Sequence, residues 1–100
     1  MPSHWYLLQA KKHKEHVVCR QLEAKGIETI CPAIHLEPTT RQAADIQASY
    51  AGYLFVRLNP AEQSLSAVES LPGTRELVKS DEEPVIVSPR LIEEIRRLAA

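Results

Sequence analysis

The chain has 100 residues, 44% hydrophobic and 25% charged, with a formal net charge of −1. That composition bounds it to one ordinary globular domain and excludes disorder or a strongly basic, non-specific nucleic-acid binder. No apolar run approaches the roughly 20 residues that cross a bilayer, and the Met-Pro-Ser-His start lacks a signal-peptide pattern, so a cytoplasmic location is expected.

Taken in chain order, residues 4–10, with Trp5-Tyr6-Leu7-Leu8-Gln9, read as a first strand, apolar enough to be central in its sheet. From about residue 12 to 25 the pattern becomes helical, with Val17, Val18 and Leu22 inward, and Gly26 suits a C-terminal cap. Residues 27–36 are expected as a second strand carrying Ile30, Pro32, Ile34 and Leu36 on one side; Pro32 places it at an edge or a bulge. Residues 37–49 hold little apolar material and predict a protruding loop or extended hairpin. Gly52 to Leu58 is the third strand. Asn59-Pro60-Ala61-Glu62 has the pattern of a helix start, with the helix ending near Ser70. Leu71-Pro72-Gly73 is a turn, 75–79 a short strand, and Ser88-Pro89 opens a last helix striped by Leu91, Ile92, Ile95 and Leu98. The order β-α-β-β-α-β-α predicts an α+β sandwich: a mainly antiparallel four-stranded sheet flanked by three helices.

All five aromatic residues fall in Trp5-Tyr6 and in the stretch from Tyr50 to Phe55. A period of two sends Leu54, Val56 and Leu58 to one side of the third strand and Tyr53, Phe55 and Arg57 to the other. The second side suits a surface covered by another molecule; the competing reading is that helices cover both faces and bury both sets. Through residue 27, five positive residues (Lys11, Lys12, Lys14, Arg20, Lys25) face Glu15 and Glu23, a local charge of +3. Lysines at the expected start of a helix oppose its macrodipole by about 0.3 to 1 kcal/mol each, so folding alone does not choose them. They suit weak contact with a phosphate backbone.

Cys19 and Cys31 read as a buried apolar residue and a strand residue. His13 and His16 read as solvated surface. No metal or cofactor is expected, and the absence of a Gly-rich phosphate loop or a nucleophile elbow argues against an enzyme.

Trp5-Tyr6-Leu7-Leu8, the Tyr50-Ala51-Gly52-Tyr53-Leu54-Phe55-Val56 stretch, Leu71-Pro72-Gly73-Thr74 and Pro84-Val85-Ile86-Val87-Ser88 together resemble the N-terminal domain of the NusG family of transcription elongation factors. Within it, the Trp-Tyr-Leu-Leu opening, Cys31-Pro32-Ala33-Ile34 and the Tyr-Leu-Phe-Val strand look closest to the RfaH-like specialised paralogues. The resemblance covers nearly the whole of 1–100. It implies a monomeric, non-enzymatic factor that grips the clamp helices of the largest catalytic subunit of bacterial RNA polymerase and promotes processive elongation or antitermination. Leu7, Tyr50, Tyr53 and Phe55 match the clamp-helix surface. Ser64-Leu65-Ser66 matches a hydroxyl-rich triplet that faces the gate loop, and Lys11 and Lys12 match basic positions near non-template DNA. Val17, Glu69 and Pro72 stand where the RfaH-like domains read a DNA hairpin with polar or basic groups, so recognition of the same element is not expected. Family members usually continue into a KOW barrel; after Ala99-Ala100 none is expected in this chain. The alternative is a single-stranded RNA binder stacking bases on sheet aromatics, without polymerase.

Overall fold

A computed structural model describes residues 3–99; Met1, Pro2 and Ala100 of the expected unit lie outside it. The first strand, β1, runs His4–Ala10, and the helix α1 runs Glu15–Ala24. Lys11, Lys12 and His13 therefore belong to a turn, with His13 at a φ of 61°, and Lys14 occupies the helix cap without a side-chain capping bond. The expected start near residue 12 is corrected: Glu15, not a lysine, sits in the first turn, where its charge suits the helix dipole. Gly26 closes α1 at a φ of 74°, donating its amide to the Glu23 carbonyl at 2.9 Å.

The expected long second strand shortens to β2, Thr29–Ile30. Pro32 ends it, because its nitrogen cannot donate to a ladder while its fixed φ suits a first helical position. The chain forms a helical turn instead, α2, Pro32–His35, and the Cys31 amide donates to His35 Nδ1 at 2.8 Å. The expected loop over 37–49 contains a helix, α3, Arg41–Ser49. Thr40 caps it by accepting the Ala43 amide at 3.1 Å. Gln47 donates to the carbonyls of Pro32 and Leu36, pinning α3 to the preceding segment. Gly52, at a φ of 84°, then turns the chain into β3, Tyr53–Leu58.

The Asn59 signal makes a turn rather than a helix: its side chain accepts the Ala61 amide at 3.0 Å, and Gln63 accepts the Asn59 amide at 2.8 Å. The helix α4, Leu65–Glu69, begins six residues after Asn59, capped by Ser64. β4 is Thr74–Leu77, after which β5, Lys79–Ser80, and β6, Glu83–Pro84, form a hairpin that leaves the sheet edge. The edge resumes where Val87 donates to the Trp5 carbonyl at 2.7 Å. The final helix α5 is Pro89–Leu98, capped by Ser88.

The sheet is antiparallel throughout, in the order β2-β3-β1-β4. Both of its faces are covered. On one, Tyr6, Leu8, Leu54, Val56 and Leu58 pack under α1 and α4 through Val18, Leu22 and Val68. On the other, Trp5, Ile30, Phe55 and Val87 pack under α5 through Ile92 and Ile95, with Leu36 completing the cluster. Arg96 of α5 lies 5.3 Å from the Trp5 ring centroid and pairs with Glu28, which also meets Arg57 at 3.3 Å. These contacts seat α5 across the face of β1 and β3 and tie it to the segment leading into the edge strand β2.

Candidate protein and nucleic-acid interface

The β1 to β3 register sets Leu7 opposite Phe55 and Gln9 opposite Tyr53. Because side chains alternate, all four project to the α5 side of the sheet. Phe55 is 0% exposed, so its expected place on an open surface is corrected: α5 supplies the Ile92 and Ile95 side chains that seal it. Tyr50, at the C-terminal cap of α3, closes the remaining side with its ring centroid 4.9 Å from that of Phe55, edge-on at 63°. Leu7, Tyr50 and Tyr53 stay half-buried. Sealed Phe55 is thus the support of a part-open apolar rim. A hollow of about 520 Å³ lies between α3 and α5, lined by Ile46, Tyr50 and Leu91 among the polar Arg41, Gln42, Asp45 and Glu94.

Lys11, Lys12 and Lys14 are exposed. The turn holding the first two is fixed by the Lys11 amide donating to the Gly73 carbonyl at 2.7 Å. Lys12, His13 and Arg75 line a shallow cleft of about 370 Å³ with Gln9, Ala10, Gly52 and one carboxylate, Glu15. Arg75, on β4, is a basic partner with no signal in the sequence; the antiparallel pairing of β4 with β1, Gln9 opposite Glu76 and Ala10 opposite Thr74, brings it alongside. Gln9 borders both the basic cleft and the apolar rim, so the two are neighbours at one end of the sheet. Arg20 is separate, exposed on α1 beside His16, Val17 and Gln21.

Ser64-Leu65-Ser66 lies on the opposite layer, since Leu65 packs against the cluster beneath α1 and α4. Ser64 caps α4 at 3.2 Å, and its hydroxyl lies 3.1 Å from that of Ser66, both exposed. An adjoining cleft of about 260 Å³ is lined by Lys25, Ile27, Ala67 and Leu71. Val17 and Pro72 are joined through Gln21, which donates to both their carbonyls. Glu69 is engaged internally, accepting the Leu77 amide at 2.8 Å and pairing with Lys79 at 3.2 Å.

In the absence of a bound cation, the surroundings of both thiols favour the protonated form. Burial, reinforced by Glu23 and Cys31 nearby, pushes Cys19 up to about 11, and burial also raises Cys31. A base-stacking platform centred on Phe55 fails for want of an accessible ring.

The family model described as transcription termination factor NusG matches residues 3–96. Among curated proteins there is no match. A solved structure of NusG from Thermotoga maritima, "Domain interaction in Thermotoga maritima NusG", superposes with a TM-score of 0.69 at 26% identity. The match takes in 99% of this chain but 58% of that protein. With four antiparallel strands, helices on both faces and a family match along nearly all its length, the chain belongs to the NusG family, as an N-terminal domain of that kind.

Proposed function

We propose that the chain is a cytoplasmic, non-enzymatic transcription factor of the RfaH-like branch that binds the clamp helices of the largest catalytic subunit of RNA polymerase and promotes processive elongation. The observation that carries the reading is the half-open rim of Leu7, Tyr50 and Tyr53 held on buried Phe55. A helical hairpin laid on that rim completes the burial of two tyrosines. Residues of this kind, once desolvated, each contribute about 2 kcal/mol or more. Phe55 acts beneath them by fixing the Tyr50 ring, not by touching the partner.

The Lys12 and Arg75 cleft adjoins the rim and supplies weak, salt-sensitive contact with non-template DNA. Ser64, Leu65 and Ser66, on the other layer, meet the gate loop across the cleft of the enzyme. Sites on opposite faces of one rigid sheet suit a molecule that bridges two jaws. Val17 and Pro72 present no cation, and Glu69 is occupied by Lys79, which favours action without reading a DNA hairpin. Transcription in vitro across a known pause site tests the reading. The expected result is a shorter pause when the domain is added and no shortening with Tyr53→Ala. Unchanged pausing with the parent domain refutes it.

A further inference from the structure

The spacing of the two cysteines along the chain points to no metal, yet folding assembles a ligand set from residues far apart in sequence. Cys19 and Glu23 stand one turn apart on the same side of α1, and His35 ends α2. A donor atom from each of the three lies within 4.8 Å of the others. We propose that Cys19, Glu23 and His35 form a binding site for a thiophilic divalent cation of the zinc type, with water in the fourth position.

The chemistry of the three donors fits such an ion. A thiolate, an imidazole and a carboxylate are its three usual protein ligands, at about 2.0 to 2.3 Å. Around a tetrahedral ion, donors at those lengths stand about 3.5 Å apart, so the trio must draw in by roughly 1 Å. The exposed Glu23 side chain and the half-buried His35 ring have room to do so. The state of His35 is set by its neighbour. The Cys31 amide can only donate, so Nδ1, at 2.8 Å, carries the lone pair and the neutral ring keeps its proton on Nε2. The cation takes a lone pair of the ring, at Nδ1 in place of the amide or at Nε2 once the ring proton has moved to Nδ1, and the thiol proton of Cys19 leaves to solvent as the Cys19 sulfur becomes a thiolate ligand. One backbone hydrogen bond is exchanged for a set of metal bonds that outweighs it. The bound ion ties α1 to the α2 turn beside β2, a junction otherwise packed through apolar side chains.

Titration of the whole chain with Co²⁺, a spectroscopic substitute for Zn²⁺, tests the site. The expected result is a thiolate charge-transfer band in the near ultraviolet that saturates at one equivalent and is displaced by Zn²⁺. Zn²⁺ should raise the melting temperature. Cys19→Ala and His35→Gln should abolish the band. Glu23→Gln, an exposed change that leaves the core intact, should weaken binding about tenfold or more, as even supporting residues of metal sites do. No thiolate band in the parent, or a band unaffected by Glu23→Gln and His35→Gln, overturns the proposal. So does loss of binding on replacing His13 and His16 by Gln, since that places the ion on α1 and its preceding turn.

Discussion

Phe55 and Tyr53 are two residues apart on one strand and share a side of the sheet, yet they do different work. Phe55 has no exposed surface, so truncation to Ala should cost about 3 to 5 kcal/mol. A urea titration should show its midpoint falling with the slope unchanged. Tyr53→Ala, at a half-buried position, should cost far less stability and still remove part of the proposed clamp-helix surface. The strand's period assigns the side each residue takes but not what lies over it. Whether a strand is covered once or twice depends on helices from elsewhere, and here Ile92 and Ile95, nearly forty residues away, decide it. In the metal-free protein, Cys19 adds a pH signature. Its folded value of about 11 stands above the ordinary 9.0, so the folded state holds the proton more tightly between those values. The stability is intact below pH 9 and declines as pH rises towards 11. At about 1.4 kcal/mol per unit, the loss approaches 2 to 3 kcal/mol. Unfolding free energies measured across that window should flatten in Cys19→Ala relative to the parent.

The elements plainest in the sequence are those with a strong period and internal signals: β1, β3 and the striped α5. α3 has the look of a loop because its apolar content is slight. Only Ala43 is fully buried, with Ile46 and the following Tyr50 completing the inward side. Its stability rests on polar bonds, the Thr40 cap and the Gln47 tether, whose partners hydropathy cannot reveal. Thr40→Ala should therefore lower stability by about 1 kcal/mol. Because Tyr50 ends this helix, the same change should also weaken polymerase binding in proportion to fraying of the last turn, checked by hydrogen exchange at Ile46 to Tyr50. The second strand is the opposite case. Its apolar alternation is real, but Pro32 fits a helical first turn better than a ladder. The Ser64 cap also separates two functions. Ser64→Ala should cost about 1 kcal/mol in stability, whereas Ser66→Ala should leave stability nearly unchanged, so only the second isolates the proposed contact with the gate loop.

At the scale of the whole molecule, a single sheet keeps the apolar rim on one side and the serine triplet on the other, with the basic cleft beside the rim at the end of the sheet. The basic residues and the rim residues are visible in the sequence, but Arg75 joins them only through strand pairing, and Arg20 stands apart. A body of net charge −1 should bind free DNA poorly, and its basic cleft should matter once polymerase holds the domain in place. Replacing Lys11, Lys12 and Lys14 by Gln should reduce the salt dependence of binding to the elongation complex. Each phosphate contact removed should lower the slope by about 0.7 to 0.9. An unchanged slope would remove DNA from the account while leaving the clamp interface standing.

The most direct test is calorimetric titration of an isolated clamp-helix hairpin with the parent domain, with Tyr53→Ala and with Ile86→Ala, an exposed apolar position outside the rim. Loss of one hot spot of about 2 kcal/mol corresponds to roughly thirtyfold in affinity. Tyr53→Ala should show that loss while melting close to the parent, and Ile86→Ala should bind as the parent does. Equal affinity of parent and Tyr53→Ala, both folded, would contradict the account.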